Sequence, residues 1–93
     1  MKLNIENKVA LVTGGARDIG KLISLNLASE NVSVAVNYNS SSKEADDTIS
    51  EIKKLGGNAK AYKGNVSDYN EMKNMINSIN LDFGGIDFLI NNA

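Results

Sequence analysis

Apolar residues fall into short dense runs, separated by longer stretches in which they recur every three or four positions. The first run, Val9-Ala10-Leu11-Val12-Thr13, is rich in β-branched residues and stopped by Gly14-Gly15, which predicts a strand buried on both faces. Ile19, Leu22, Ile23 and Leu27 then recur at helical spacing with Ala28 beside them, and Asp18 stands where an N-cap belongs. Val32 to Val36 predicts a second strand, left by the polar loop Asn37-Tyr38-Asn39-Ser40-Ser41-Ser42. From Lys43 to Leu55 a second helix places Ala45, Ile49 and Ile52 on one face, extended by Leu55 and stopped by Gly56-Gly57.

The remaining pattern repeats the alternation. Ala59-Lys60-Ala61-Tyr62-Lys63 reads as an outer strand with one wetter side, turned by Gly64-Asn65. Ser67 or Asp68 caps a third helix carrying Met72, Met75, Ile76 and Ile79, which ends near Gly84-Gly85. Ile86 to Ile90 forms a fourth strand. The order β-α-β-α-β-α-β forces parallel pairing, because each helix is long enough to be a crossover, and right-handed crossovers place helices on both faces of the sheet. The fold class is α/β with a parallel sheet.

At 93 residues the chain is one domain at most, since domains usually run to about 100–150 residues. It has no cysteine, histidine, tryptophan or proline, which excludes the common zinc and iron–sulfur sites, a thiol nucleophile and a histidine-based triad. Ten Lys plus Arg against eleven Asp plus Glu leave a formal charge of −1, so no global field recruits nucleic acid or an anionic membrane. No apolar run reaches the roughly 20 residues of a membrane span, and residues 1–8 lack the apolar stretch of a secretory signal. A cytoplasmic location is expected, in which the Asn-x-Ser sequons at Asn31, Asn39 and Asn65 carry no weight.

The candidate chemistry lies at the first glycine turn. Where a parallel strand runs through glycines into a helix, backbone N–H groups and the positive end of the helix dipole face one spot and attract phosphate. Gly14 and Gly15 also suit a tight turn with no ligand. Gly15-Ala16-Arg17-Asp18-Ile19-Gly20-Lys21 fits the P-loop pattern G-x-x-x-x-G-K, but Leu22 stands where the magnesium-binding Ser or Thr belongs and no later strand ends in a Walker-B-like Asp.

Thr13-Gly14-Gly15-Ala16-Arg17-Asp18-Ile19-Gly20 also resembles the T-G-x-x-x-G-x-G signature of short-chain dehydrogenases/reductases, with Asp18 in place of the middle glycine. Gly64-Asn65-Val66 resembles that family's D-V segment and Asn91-Asn92-Ala93 its N-N-A-G, in the same order and at family spacing. The resemblance covers the whole chain and is strongest to members of the 3-oxoacyl-carrier-protein-reductase type. It implies the first part of a Rossmann fold with strand order 3-2-1-4 and a nicotinamide dinucleotide as cofactor. By the same resemblance Thr13 is among the cofactor-binding residues, Gly14 makes the tight turn, Gly20 allows close helix packing, and the backbone of Arg17, Asp18 and Ile19 faces the pyrophosphate. Asn65 and Val66 flank the adenine, while Asn91 and Ala93 touch the adenine ribose side through their backbones. Asn65 as a turn residue and Asn91-Asn92 as a tie between strands are the alternative readings.

NAD sites usually present a carboxylate to the ribose 2′-OH about 20 residues beyond the glycine turn, and none is there. Asn37, Tyr38, Asn39 and Ser40 are neutral, and Arg17, the only arginine, occupies a position that is often basic in NADP-preferring members. NADP is therefore expected over NAD, the guanidinium fork suiting a 2′-phosphate. Asp18 counts against tight binding of either cofactor by placing a carboxylate near the pyrophosphate, unless its side chain turns inward to cap the helix.

The family's catalytic Ser and Tyr-x-x-x-Lys follow N-N-A-G and are not among these 93 residues. The literal match Tyr69-Asn70-Glu71-Met72-Lys73 opens the third helix and is read as chance. The expectation is thus the cofactor-binding portion of a truncated oxidoreductase, whose small-molecule carbonyl or alcohol partner requires the missing half. A non-catalytic nucleotide-binding or assembly module is the alternative, and a P-loop-like phosphate binder the third reading. Homo-oligomerisation through the exposed fourth strand or missing helices is expected, as is poor stability of an isolated monomer.

Overall fold

The structure, a computed structural model, describes residues 5–92. Four parallel strands lie in the order β3-β2-β1-β4: β1 (Val9–Thr13), β2 (Ser33–Tyr38), β3 (Ala59–Lys63) and β4 (Phe88–Asn91). The connecting helices are α1 (Asp18–Ser29), α2 (Ser42–Lys54) and α3 (Tyr69–Phe83). The order 3-2-1-4 and the α/β class agree with the expectation, and this is the first portion of a Rossmann fold.

Strand alternation assigns the two faces. Ala10, Val12, Val34, Val36 and Ala59 pack with Ala28, Ala45 and Ile52 of α1 and α2. Val9, Leu11, Ala35 and Tyr62 meet Met75 and Ile79 of α3 on the other face. Every residue of β1 is buried because it has a helix layer on both sides and a strand at each edge.

Several boundaries and faces differ from the sequence reading. β2 runs on through Asn37 and Tyr38, because both pair with β3, opposite Tyr62 and Lys63. α2 begins at Ser42 and ends at Lys54, and Leu55 caps it at 75% exposure instead of extending its buried face. α1 buries Gly20, Ser24 and Ala28, while Ile19 and Leu22 face solvent. Small side chains win there because α1 crosses close over the β1 turn: a Cβ on Gly20 would lie 1.9 Å from the Gly14 carbonyl oxygen.

Asp18 does not cap α1. The N-cap is Arg17, in extended conformation and with no side-chain cap bond, and Asp18 follows in the first turn with φ +56°. Asp tolerates this left-handed backbone better than most residues but still carries strain that glycine lacks. Asp68, by contrast, caps α3 as expected, accepting the Glu71 N–H at 3.1 Å, and left-handed Gly84 ends that helix. β4 starts at Phe88, two residues late, because Asp87 is engaged in register-setting. Its N–H donates to the Val9 carbonyl at 2.8 Å and its Oδ2 accepts the Val9 N–H at 2.8 Å.

Candidate functional site: a cleft at the glycine turn

At the carboxyl ends of β1 and β2 a cleft of ≈ 290 Å³ is lined by Gly14, Ala16, Arg17, Tyr38, Asn39, Ser40 and Ser41. Carboxyl-end crevices are where open α/β sheets hold ligands. Gly14 turns the chain with φ +60°, and the first-turn N–H groups of α1 point toward this end with no side-chain cap. Backbone donors, one guanidinium, a phenol, an amide and two hydroxyls therefore converge without a lining carboxylate. That donor set suits a phosphorylated ligand. Asp18 stands just outside it, its side chain 87% exposed and 3.9 Å from Arg17 Nε.

Three buried side chains hold the turn from three elements. Asn37 of β2 accepts the Gly14 N–H on Oδ1 at 3.2 Å. Ser24 of α1 donates to the Gly15 carbonyl at 3.2 Å and the Gly20 carbonyl at 2.9 Å. Thr48 of α2 donates to the Ala16 carbonyl at 2.7 Å. Sequence reasoning missed Ser24 and Thr48. Their signal was a polar residue on a buried helical face, with Thr48 lying between Ala45 and Ile52 at core spacing.

The sequence-singled residues divide. Gly14, Arg17, Tyr38, Asn39 and Ser40 meet in the cleft, and Asp18, Ile19 and Gly20 form the α1 turn beside it. Asn37 does not line the cleft; its amide is turned inward and engaged there. Asn65 Oδ1 accepts the Ser67 N–H at 2.9 Å, and Asn65 N–H donates to Glu71 Oε1 at 3.1 Å, so this residue builds the turn into α3. Val66 next to it is exposed. Thr13 Oγ1 donates toward Asn91 Oδ1 at 3.3 Å and accepts the Asn92 N–H at 2.9 Å, while Asn92 Nδ2 donates to the Gly14 carbonyl at 3.2 Å. The Asn91-Asn92 pair thus ties β4 to β1, and Ala93 lies outside the described residues.

Other candidates fall elsewhere. Lys21, which a P-loop would aim at phosphate, is paired with Glu51 of α2 at 2.9 Å, and Leu22 is on the solvent side. Tyr69 is exposed at the start of α3. Tyr62 donates to Asp82 at 2.6 Å, and Lys60 donates to the same oxygen at 2.8 Å. Burial first, then the Asp82 hydrogen bond, pushes the Tyr62 hydroxyl above its ordinary pKa. Hydrogen bonds from Lys60 and then Tyr62 hold Asp82 below the usual carboxylate range. Among the described residues no metal-binding cluster occurs, and no helix is long and apolar enough to cross a membrane.

A parallel sheet in the order 3-2-1-4 with a glycine turn at the end of its inner strand defines an α/β protein of the Rossmann class. The family model for short chain dehydrogenases matches residues 8–93, and the chain belongs to that family. It is 45% identical over 91 residues to the short-chain dehydrogenase/reductase homolog YusS of Bacillus subtilis, covering 98% of this chain and 84% of YusS. It is 46% identical over 86 residues to the 3-oxoacyl-acyl-carrier-protein reductase FabG of Staphylococcus aureus, covering 92% of this chain but 35% of FabG. A crystal structure of a short chain dehydrogenase from Burkholderia cenocepacia in complex with NADP superposes with a TM-score of 0.91 at 36% identity, over 98% of this chain and 37% of that one. The chain thus spans most of YusS but about a third of the length of FabG and of the Burkholderia dehydrogenase.

Proposed function

We propose that this chain is the cofactor-binding portion of an NADP-dependent oxidoreductase that reduces a carbonyl, with a 3-oxoacyl thioester as the favoured substrate class, or oxidises the corresponding alcohol. The observation that carries the cofactor is the cleft itself: Arg17 at the start of α1 faces the neutral residues Tyr38, Asn39, Ser40 and Ser41 at the end of β2, with no lining carboxylate for a ribose 2′-OH. The NADP complex of the Burkholderia relative supports the same choice, and the likeness to FabG supports the substrate class.

In this reading the Gly14 turn and the first-turn amides of α1 hold the pyrophosphate, and Arg17 with Ser40 holds the 2′-phosphate. Asn65 and Val66 border the adenine, and Asn91 borders the adjoining ribose. The bound dinucleotide supplies hydride chemistry. The chain's own contribution is to bind and orient it, since the family's catalytic Ser and Tyr-x-x-x-Lys are not among residues 1–93.

Calorimetric titration of the full chain with NADPH and NADH tests the assignment. NADPH is expected to bind more tightly, and Arg17→Ala to weaken NADPH by about 1–3 kcal/mol relative to NADH, because one charge-assisted contact is lost. Equal losses for both cofactors would sink the 2′-phosphate assignment.

A second reading has separate support. The chain covers 84% of YusS, so a relative only slightly longer than these residues exists. On that reading the chain is a dinucleotide-binding module, and binding without turnover of any carbonyl substrate is the expected result.

A further inference from the structure

Asn37 is 2% exposed at a position where β2 turns its side chain toward α3. Packing alone would favour Val or Leu there, and a buried amide is costly unless its polar atoms are matched. All are matched, in two directions. Oδ1 accepts the Gly14 N–H at 3.2 Å, and the Asn37 main-chain carbonyl accepts the Gly15 N–H at 3.0 Å. Nδ2 donates to the Gly64 carbonyl at 3.0 Å and to the Tyr62 carbonyl at 3.4 Å, with Met75 Sδ at 3.3 Å. One side chain therefore bridges the glycine turn after β1 and the exit of β3. An amide suits this task because it offers an acceptor and two donors from one planar group; a carboxylate loses the donors and a hydroxyl is too short to serve both ends.

We propose that Asn37 is a positioning residue for dinucleotide binding, fixing the glycine turn and the Gly64-Asn65 segment relative to each other so that the pyrophosphate and the adenine are met at once. The inference rests on reading the cleft as a dinucleotide site. Asn37 itself touches no ligand. Its role is distinct from that of Ser24 and Thr48, which hold the turn to helices and do not reach the β3 exit.

The test uses the full chain, as wild type and as Asn37→Asp, with folding verified by circular dichroism at each pH. In the variant an Oδ still accepts from Gly14, but a carboxylate faces the Gly64 and Tyr62 carbonyls; protonation, favoured by burial, returns a donor to that side. NADPH should bind about 10-fold or more weakly than to wild type near pH 8. The variant-to-wild-type ratio should shrink toward one near about pH 5.5. The titratable side chains on the elements around Asn37, namely Tyr38 of β2, Lys60, Tyr62 and Lys63 of β3, and Tyr69, Glu71, Lys73 and Asp82 of α3, are common to both proteins and cancel in the ratio. In ligand-free spectra the amide resonances of both Gly14 and Asn65 should shift in the variant. Should Asn37→Asp not fold, Asn37→Ser should show a loss of about 3-fold or more with a ratio independent of pH.

A folded variant that binds as wild type does, or that leaves Asn65 unshifted, overturns the positioning role alone. A wild-type chain that binds neither NADPH nor NADH overturns the dinucleotide reading, and this inference with it.

Discussion

Leu11 and Leu89 are the same residue, opposite each other in paired parallel strands and on the same face of the sheet. Leu11 is 1% exposed and Leu89 60%. The contrast extends to their surroundings. Around the glycine turn, next to the end of Leu11's strand, buried side chains from β2, α1 and α2 each take a backbone polar group. Around β4 the pattern is exposed, exposed, half-buried, exposed, and pairing is to β1 alone. Organisation in this sheet is concentrated where the cleft forms, and it thins toward the β4 edge.

The largest break in that comparison should come from Leu11→Ala. It removes a fully buried side chain between β1 and α3, with an expected cost of about 2–5 kcal/mol in urea unfolding. Thr48→Val comes next. It keeps the shape of the side chain but leaves the buried Ala16 carbonyl without its donor, for a loss of about 1–3 kcal/mol and a weaker hold on the cleft-lining residue.

Tyr62→Phe should cost about 0.5–1.5 kcal/mol at neutral pH, since Asp82 keeps Lys60. Its sharper signature is alkaline. A hydroxyl whose folded pKa is raised contributes stability fully below its unfolded value, about 10, and loses it as the pH climbs toward the folded one. Stability of the wild type should therefore fall above about pH 10, and the variant should lack that part of the slope. Asp82 has the opposite sign: its depressed folded pKa makes its contribution present above the ordinary carboxylate value and lost on acidification below it. The smallest effect belongs to Leu89→Ala, within about 0.5 kcal/mol by the same urea assay. A loss comparable to that of Leu11→Ala would mean that β4 is covered in solution.

Element order was legible because strands buried on both faces leave unbroken apolar runs and glycine marks their ends, as at Val9 to Thr13. The buried face of α1 was not. Hydrophobic periodicity ranks Ile19 and Leu22 above Gly20 and Ser24, yet close approach to the Gly14 carbonyl leaves room only for the small pair. The sequence around Asn37 reads as loop for a related reason. Composition treats an amide as a surface group, while strand pairing opposite Tyr62 and three buried partner groups settle its position. Of the cleft, Gly14, Arg17, Tyr38, Asn39 and Ser40 were readable from local motifs. The anchors Ser24 and Thr48 depended on which helices cross the turn, which no local pattern records.

Gly14 is held by residues that reach it at very different times in the life of the chain. Its N–H meets Asn37, 23 positions away, and its carbonyl meets Asn92, 78 positions away. Contacts between near positions close small loops and form early, and synthesis from the N-terminus reinforces that order. A nascent chain can therefore pair β1 with β2, then β2 with β3, while the other edge of β1 still waits for β4. During that interval the most buried strand of the finished sheet is an open parallel edge, and its glycine turn is fastened on one side only.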